Sequence, residues 1–514
     1  MGGRILGLLV AAAMTLLTAC ASLPSQEGRV ASSYLADTTG TRLDRGLAPH
    51  LAAHPAKTGI YPLAVPDDAF AARVLLAAAA DKSLDVQYYI WHGDQTGQMM
   101  FEALWRAAQR GVRVRLLLDD NGTAGLDGTL AALDAHPNIE VRLYNPFAQR
   151  AARGIGYLTD FSRLNRRMHN KSFTADNRAS IVGGRNIGNE YFGAGHEVVF
   201  EDLDVIAVGQ VVSEVSAAFD LYWNSASAYP AVPLVGAAGP DAPAQLEAGF
   251  AAARADPDST SYLKALRDTQ LVRELLAGSL PFEWTDARLL RDDPAKTLDT
   301  TGRTDVLLFA QLLRTTTQPQ ESFDLISPYF VPGKDGTAAL AALAQRGVSV
   351  RILTNSLAAT DVGAVHAGYA KRREDLLRAG VRLYELKPTA EKDDPRAKRS
   401  SSGSSSASLH AKTFALDRRQ VFVGSFNFDP RSARLNTEMG LMIDSAALGR
   451  RLAAVLEERV PRVAYEVRIA ADGSLEWIDR SAGGETRQGS EPETGLLRRA
   501  WIWFLSVLPI EWLL

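Results

Sequence analysis

Apolar and polar residues follow one another along the chain in an order that predicts alternating strands and helices. Short apolar runs such as "SLDVQYYIW" (83–91), "VRVRLLL" (112–118) and "VRLY" (141–144) are typical of buried strands, and helical patterns separate them. The order strand, helix, strand, helix, strand then leads into a polar segment that contains His169. This order predicts an α/β fold in which helices pack on a sheet.

The same pattern occurs a second time later in the chain. "SFDLISPYF" resembles "SLDVQYYIW", and "ALAQRGVSVRILTNS" resembles "AAQRGVRVRLLLDDN". The offsets between matched residues are 239 for Ser83 and Ser322, 236 for Gly111 and Gly347, 240 for Arg142 and Arg382, and 241 for His169 and His410. A nearly constant offset predicts a duplication: two α/β sandwich domains that form a pseudo-two-fold pair with one shared active site.

Each copy continues into a segment with the pattern of a β-hairpin. In "MHNKSF" the alternation is that of a strand, so His169 and Lys171 project from the same face. "ADNR", which contains Asp176, has the composition of a turn, and the strand "ASIVGG" then returns the chain towards Asn186. The second copy, "LHAKTFALDRRQVFVGSFN", supplies the equivalent polar residues His410, Lys412, Asp417, Ser425 and Asn427.

Two imidazoles, two ammonium groups and two carboxamides at one domain interface suit the cleavage of a phosphodiester. One neutral imidazole can attack phosphorus while the other, protonated, delivers a proton to the leaving oxygen, which requires that the two histidines differ in pKa. The lysines and asparagines can donate hydrogen bonds to the non-bridging oxygens. Side-chain cations make a metal unnecessary, and the sequence contains no HExxH or CxxC pattern, so neither a metal nor a cofactor is predicted.

The pattern HxKxxxxD followed by GSxN, present twice, resembles that of the phospholipase D superfamily. The second copy is complete, whereas the first has Gly184 where serine is usual. The resemblance implies a covalent phosphohistidine on His169, with His410 as general acid and then base. It also implies phosphate binding by Asn186, Ser425 and Asn427, and carboxylates that orient the histidines, for which Asp204 and Glu438 match by position. Asp176 and Asp417 complete the motifs and are expected to hold the hairpins rather than touch substrate.

Further stretches, including "TDFSRLNRRMHNKSF" and the terminal "LPIEWLL", resemble bacterial cardiolipin synthases. That resemblance implies a membrane-associated phosphatidyltransferase that joins phosphatidylglycerol to a phosphatidyl group, drawn from phosphatidylethanolamine. A phospholipase D that hydrolyses phospholipid and a periplasmic nuclease are the alternatives. The net charge of −3 and the apolar tail argue against the nuclease, so phospholipids and a membrane, not nucleic acid, are the expected partners. The oligomeric state stays open.

A chain of 514 residues is too long to fold around a single hydrophobic core, so more than one domain is expected. Its content of 46% hydrophobic and 22% charged residues is ordinary for a globular protein. The predicted divisions are a lipoprotein signal peptide at 1–19, a tether at 20–60, domain 1 at 61–235, a linker with connecting helices at 236–300, domain 2 at 301–480 and an apolar membrane-interface tail at 481–514.

The apolar N-terminal run ends in "LTAC", which resembles the lipobox of bacterial lipoproteins. A lipidated Cys20, the only cysteine, is favoured over a plain signal peptide or an anchor helix. Since Ala21 is not the aspartate that retains such proteins at the inner membrane, the periplasmic face of the outer membrane is the expected location, with the inner membrane as the alternative.

Each of two further segments has two alternative interpretations. The C-terminal "AWIWFLSVLPIEWLL" (500–514) is too short to span a bilayer and fits either the water–lipid interface or a helix docked on the protein. The low-complexity segment 391–408 directly precedes His410 and is either a lid or a tolerated surface insertion.

Overall fold

The computed structural model describes residues 22–194, 199–276, 279–298, 307–388, 407–480, 484–509 and 511–514. Cys20, the signal segment and most of the 391–408 segment lie outside the described residues, so the anchor and the lid stay predictions. Two large sheets, each covered by helices, dominate the described part of the chain.

The first half carries ten strands, and β2, β3 and β4 coincide with the three predicted apolar runs. They are β1 (Thr58–Leu63), β2 (Ser83–Ile90), β3 (Arg113–Gly122), β4 (Ile139–Tyr144), β5 (Ser172–Ala175), β6 (Ala179–Gly183), β7 (Val199–Glu201), β8 (Asp204–Gly209), β9 (Ala228–Pro230) and β10 (Glu283–Thr285). The second half carries β11 (Ala287–Arg291), β12 (Ser322–Ile326), β13 (Ser349–Asn355), β14 (Arg382–Leu386), β15 (Ala407–Leu409), β16 (Thr413–Leu416), β17 (Gln420–Gly424), β18 (Met439–Asp444), β19 (Ala464–Ile469), β20 (Leu475–Asp479) and β21 (Thr486–Gln488).

Helices connect these strands. The first half has α1 (Arg42–Ala53), α2 (Pro66–Ala79), α3 (Gln95–Gln109), α4 (Asp127–Asp134), α5 (Arg153–Thr159), α6 (Phe161–Leu164), α7 (Asn189–Phe192), α8 (Gln210–Trp223), α9 (Val232–Val235), α10 (Ala242–Ala255), α11 (Pro257–Arg267) and α12 (Gln270–Leu276). The second half has α13 (Leu308–Thr315), α14 (Gly333–Gln345), α15 (Gly363–Ala370), α16 (Arg373–Arg378), α17 (Pro430–Arg434), α18 (Ala446–Ala454), α19 (Val460–Val463) and α20 (Leu496–Val507). Short 3₁₀ turns lie at Arg150–Ala152, Pro294–Thr297 and Glu511–Leu513, and a π turn at Val455–Arg459.

The strand order confirms the duplicated α/β fold. The first sheet contains the order β1-β8-β6-β5-β2-β3-β4-β9, and the second contains the equivalent order β11-β18-β17-β16-β12-β13-β14-β19. In both, three parallel strands joined by helical crossovers lie beside the antiparallel hairpin that follows the histidine. The structure adds β10 to the first sheet, and β20 and β21 to the second.

The two sheets share an apolar core between the halves. Val182 on β6 and Val205 on β8 belong to the same buried cluster as Val423 on β17 and Leu441 on β18. Each half also has its own larger core under its helices. Because buried apolar contacts of this kind resist sliding, they fix the two hairpins relative to each other.

The segments outside the two sandwiches are more structured than the sequence predicted. Residues 236–300 contain the expected helices, but β10 and β11 also add one edge strand to each sheet, which the sequence analysis missed. The predicted tether is held against the first half, where the Arg29 guanidinium donates to the carbonyl oxygens of Asn224 and Ala228. The domain limits themselves stay predictions.

Candidate active site between the halves

His169 is held by backbone contacts to the opposite half. Met168 forms a parallel bridge with Thr437, and the His169 amide N–H donates to the Thr437 carbonyl oxygen at 2.8 Å. Its Nδ1 atom lies 2.9 Å from a carboxylate oxygen of Glu438, the next residue. A carboxylate at this distance holds Nδ1 as the donor, which leaves Nε2 free to act as a nucleophile.

His410 is held in the mirrored way. Strands β7 and β15 form a parallel pair, and the His410 amide N–H donates to the Glu201 carbonyl oxygen at 2.8 Å. The next residue, Asp202, has a carboxylate oxygen 2.6 Å from Nδ1 of His410. Each histidine is therefore oriented by a carboxylate of the other half, so neither half contains a complete site.

The prediction that Asp204 orients a histidine is wrong. Strand register gives the reason: Gly183 pairs with Asp204, whereas in the second half Gly424 pairs with Gly440. Asp204 therefore corresponds to Gly440, and the residue that corresponds to Glu438 is Asp202. The buried Asp204 carboxylate instead pairs with two buried guanidinium groups, Arg73 at 2.8 Å and Arg185 at 3.4 Å.

The two lysines lie beside the histidines, as the alternation predicted. Lys171 Nζ donates to the His169 carbonyl oxygen at 2.5 Å. Lys412 Nζ donates to the His410 carbonyl oxygen and lies 2.8 Å from Nδ1 of the same histidine. Both ammonium groups are buried, and each lowers the pKa of both histidines. The charges of the two half-sites are thus close enough to affect one another.

The serine of the second motif and the glycine of the first motif each lie against the carboxylate that contacts a histidine. The Ser425 hydroxyl donates to the Glu438 carboxylate and accepts from the Met439 amide N–H at 3.1 Å. At Gly184 an added Cβ would lie 2.3 Å from Asp202 Oδ1, so the Asp202 carboxylate occupies the space that a side chain would need. The missing hydroxyl of the first motif is therefore explained by the shape around Asp202. The predicted role of Ser425 in binding phosphate stays a prediction. Its hydroxyl already donates to the Glu438 carboxylate.

The two asparagines are not equivalent. The Asn186 carboxamide accepts from the Ile90 amide N–H at 3.1 Å and donates to the Tyr191 hydroxyl at 3.0 Å. Asn427 is buried, and its Oδ1 atom has no hydrogen-bond partner within the described part of the chain. An unpaired Oδ1 can only accept a hydrogen bond, so donation to a substrate phosphate oxygen would come from Nδ2 of Asn427.

Asp176 and Asp417 lie at the turns of the two hairpins. Asp176 accepts from the amide N–H groups of Asp81, Lys82 and Ser83 at 2.7–2.9 Å. Asp417 accepts in the same way from residues 320–322 at 2.7–3.0 Å. Both have φ of +50°, a left-handed conformation that Asp tolerates. A strand of about 15 Å separates each from its lysine, so they hold the hairpins and do not reach the histidines.

Aromatic rings that the sequence analysis did not single out enclose the site. The Tyr89 ring lies 5.0 Å from the His169 ring, and the Phe200 and Tyr191 rings lie 5.0 and 5.1 Å from that of His410. Tyr89 ends a buried strand and Phe200 directly precedes the acidic "EDLD", but nothing in their spacing distinguishes them from core residues. Only the fold brings them to the histidines.

Burial sets the charge state of the site. It lowers the pKa of both histidines well below the usual value, and the nearby lysines lower it further. It also lowers the pKa of Lys412 to about 8 and raises that of Glu438 to about 7. The sequence predicted histidines with different pKa values, but both shift in the same direction because burial and the lysines act on both. A bound phosphodiester would return negative charge to the site and favour a protonated imidazole.

One other group of described residues could present ligand atoms to a metal ion. Atoms of His92, Asp94 and Glu190 lie within 4.8 Å of one another. The Asp94 carboxylate, however, caps helix α3 by accepting from the Gly97 amide N–H at 2.9 Å, and it also accepts from that of Asn189 at 2.7 Å. Capping already explains the position of Asp94, and His92 lies 3.5 Å from Glu190 as a separate pair.

A duplicated α/β fold with one shared histidine–lysine site defines a phospholipase D-like protein. A family model described as "Cardiolipin synthase, PLD-like domain" matches residues 74–223 and 312–460, and the chain belongs to this family. The chain is 48% identical to cardiolipin synthase C of Escherichia coli strain K12 over 473 residues, which is 92% of this chain and 100% of that protein. It is 31% identical to an uncharacterized protein of Helicobacter pylori strain J99 over 462 residues, or 86% of this chain and 87% of that protein.

Among solved structures, the crystal structure of phosphatidylserine synthase from Haemophilus influenzae Rd KW20 matches with a TM-score of 0.50. The match covers 83% of this chain and 92% of that chain at 14% sequence identity, so it supports the fold alone.

The pH dependence of turnover tests the contact between Ser425 and Glu438. Protonating Glu438 removes the acceptor that holds Nδ1–H of His169, so kcat/KM should fall as pH falls through about 7. The Ser425 hydroxyl lowers the pKa of Glu438. In Ser425→Ala the pH at which kcat/KM decreases should therefore be higher by about one pH unit, equivalent to ~1.4 kcal/mol.

Ser172→Ala is the matched control, since the Ser172 hydroxyl is also buried but has no partner within the described ranges. A Ser425→Ala enzyme with a raised KM and an unmoved pH profile would instead assign the hydroxyl to the substrate phosphate.

Proposed function

We propose that the protein is a membrane-associated phosphatidyltransferase that makes cardiolipin from phosphatidylglycerol and a phosphatidyl donor, phosphatidylethanolamine. The observation that carries the proposal is the crossed pairing of His169 with Glu438 and of His410 with Asp202 in one buried site. The similarity to cardiolipin synthase C over nearly the whole chain supports phospholipids as the substrates.

The reaction follows from the two imidazoles. Nε2 of neutral His169 attacks the phosphorus of the donor, and the bond from phosphorus to the headgroup oxygen breaks as protonated His410 gives that oxygen its proton. The products are the free headgroup alcohol and a phosphatidyl group on His169. His410, now neutral, accepts the proton of a phosphatidylglycerol hydroxyl, whose oxygen attacks phosphorus and releases His169. Lys171, Lys412 and Asn427 stabilise the charge on the non-bridging oxygens during both steps.

The choice between a lipid alcohol and water decides between transfer and hydrolysis. Both histidines are buried and lie against aromatic rings, which limits the access of water to the intermediate. This environment favours transfer over the phospholipase D reaction.

Lipid analysis tests the proposed function. Purified protein is incubated with labelled phosphatidylglycerol, with and without phosphatidylethanolamine, and the products are separated. Labelled cardiolipin that increases with phosphatidylethanolamine is the expected result. Phosphatidate alone would identify a phospholipase D, and degradation of added DNA with unchanged lipid would identify a nuclease.

The C-terminal tail supports contact with a membrane surface. Within the described part of the chain, no helix has the length and apolar character needed to cross a bilayer. One face of helix α20 packs on the protein through Ile502, which contacts Leu357 and Ala367, while the indoles of Trp501 and Trp503 are exposed. Exposed indoles next to basic residues suit the water–lipid interface. The tail would orient the enzyme, and lipid on Cys20 would retain it at the periplasmic face of the outer membrane.

Separate variants distinguish retention of the protein at the membrane, assigned to Cys20, from orientation of the enzyme, assigned to the tail. Cys20→Ser should release the protein from membranes partly or wholly, because the attached acyl chains supply the stable anchor, and should preserve the rate on detergent-dispersed lipid. Trp501→Glu with Trp503→Glu should leave the lipidated protein on membranes but slow turnover on intact vesicles severalfold. Membrane fractionation and the two rates measure these outcomes. Loss of the detergent rate in the tryptophan variant would show that the exposed indoles support the fold.

A further inference from the structure

Helices α5 and α6, directly before the His169 segment, turn their polar side chains inward. The Arg153 guanidinium donates to the Thr123 hydroxyl at 3.2 Å and lies 5.6 Å from the Phe147 ring. The Tyr157 hydroxyl donates to Asn121 Oδ1 at 2.9 Å. Leu164 at the end of α6 is also buried, and the Tyr157 ring lies 5.4 Å from that of Phe147, so polar contacts and a small apolar contact together attach this segment to the first half.

Apart from Leu164, the aliphatic and phenyl side chains of the same segment are exposed. Leu158 is 87% exposed, Ile155 44% and Phe161 45%, and none of the residues of α5 is buried. Ile155 and Leu158 are three positions apart and so share a helix face. Ordinary surface helices have the opposite arrangement, and a grouped apolar surface of this kind marks a site of contact.

This apolar surface is joined to the C-terminal tail. The Arg431 guanidinium donates to the carbonyl oxygen and Oδ1 of Asn165, at 3.0 and 2.6 Å, where α6 ends. Nε of the same side chain donates to the Leu513 carbonyl oxygen at 3.1 Å, beside the exposed Trp512. One guanidinium thus places the end of α6 next to the tail, so the two exposed apolar elements are neighbours.

The surface also lies close to the chemistry along the chain. Only three residues lie between Asn165 and His169, and one of them, Met168, is fixed by its bridge to Thr437. Arg166, just after α6, brings positive charge to this edge, whereas the charge of Arg163 is paired with that of Asp160 at 2.6 Å. Apolar side chains with an adjacent arginine match the boundary between acyl chains and anionic headgroups.

We propose that α5 and α6 form a second bilayer-contacting element, which inserts Ile155, Leu158 and Phe161 at the headgroup boundary of an anionic phospholipid membrane. The inference rests on the proposed function in taking phospholipid as the substrate. Together with the tail it would place the entrance to His169 at the depth of the lipid phosphates, so that a lipid need not leave the bilayer fully to react.

Matched charge substitutions test this contact through the enzyme's two rates. Leu158→Glu in the full-length protein should lower kcat/KM on vesicles of phosphatidylglycerol and phosphatidylethanolamine about tenfold, because insertion would bury the new charge. The rate on the same lipids dispersed in detergent should stay within about twofold. Leu221→Glu, on the exposed side of α8 with 44% exposure, is the control and should change neither rate. Equal losses in vesicles and detergent, or no loss in either, would overturn the proposal.

A label reports the contact without any turnover and so separates this inference from the proposed function. In a Cys20→Ser background, Leu158→Cys and Leu221→Cys each carry one thiol for an environment-sensitive dye. Vesicles should shift the emission of the dye at position 158 to shorter wavelength and leave that at 221 unchanged. An unshifted dye at 158 overturns the proposal even if cardiolipin forms, and a shifted dye supports it even if the lipid product proves to be phosphatidate. A shift that depends on protein concentration without vesicles would instead identify a contact between copies of the chain.

Discussion

Replacing His169 with alanine is expected to abolish turnover, with a loss of about 10⁴-fold or more in kcat, because in the proposed reaction His169 forms the bond to phosphorus. The same variant should also lose any acid-labile phosphoenzyme formed from a donor labelled in its phosphatidyl group. Quenching in alkali, followed by mass analysis of the peptide containing residue 169, measures the adduct.

His410→Ala provides the matched comparison, since His410 occupies the mirrored position. This variant should turn over slowly, because the headgroup leaves without a proton, but the adduct on His169 should stay detectable with a donor that has a good leaving group. An adduct found only on His410 would exchange the two roles.

Asp202 and Asp204 should respond in opposite ways to replacement by asparagine. Asp202→Asn is expected to lower kcat about 10³-fold, because an amide no longer holds Nδ1 of His410 in the required tautomer, with little change in melting temperature. Asp204→Asn should instead cost about 3–5 kcal/mol of folding free energy, because it leaves Arg73 and Arg185 without their buried counter-charge. The folded fraction of that variant should keep most of its activity.

Calorimetry and kinetics on the two proteins separate these effects. The melting temperature of Asp204→Asn should fall by about 10 °C, since a large domain loses a few degrees per kcal/mol. The opposite result, with kcat lost in Asp204→Asn and stability lost in Asp202→Asn, would restore the assignment made from sequence position.

The crossed pairs make each half depend on the other for the position of its histidine. Thr437 and Glu438 of the second half hold the backbone and the ring of His169, and Glu201 and Asp202 do the same for His410. A half on its own would present a histidine without its carboxylate. The apolar core shared by β6, β8, β17 and β18 supplies the rigidity that keeps both pairs at hydrogen-bond distance.

The sequence by itself determined the fold class, the duplication and the polar residues of the two motifs. These features are local or periodic: a strand alternates its side chains, a repeat keeps its offset, and "HNK" and "HAK" each bring a histidine and a lysine to one face. The hairpin role of Asp176 and Asp417 followed from turn chemistry in the same way. None of these conclusions needs contacts between residues far apart in the chain.

Only the tertiary structure decided which partners each group has. Asp202 and Asp204 stand two residues apart in "EDLD", and strand register, set by pairing with β6, determines which of them reaches His410. The strands β10 and β11 form because sheet edges on two different halves accept them, which no local pattern in 236–300 reveals. The shifts in pKa likewise come from burial that both halves create together. Long-range contacts of this kind depend on how the two sheets pack, and packing is a property of the whole chain rather than of any segment.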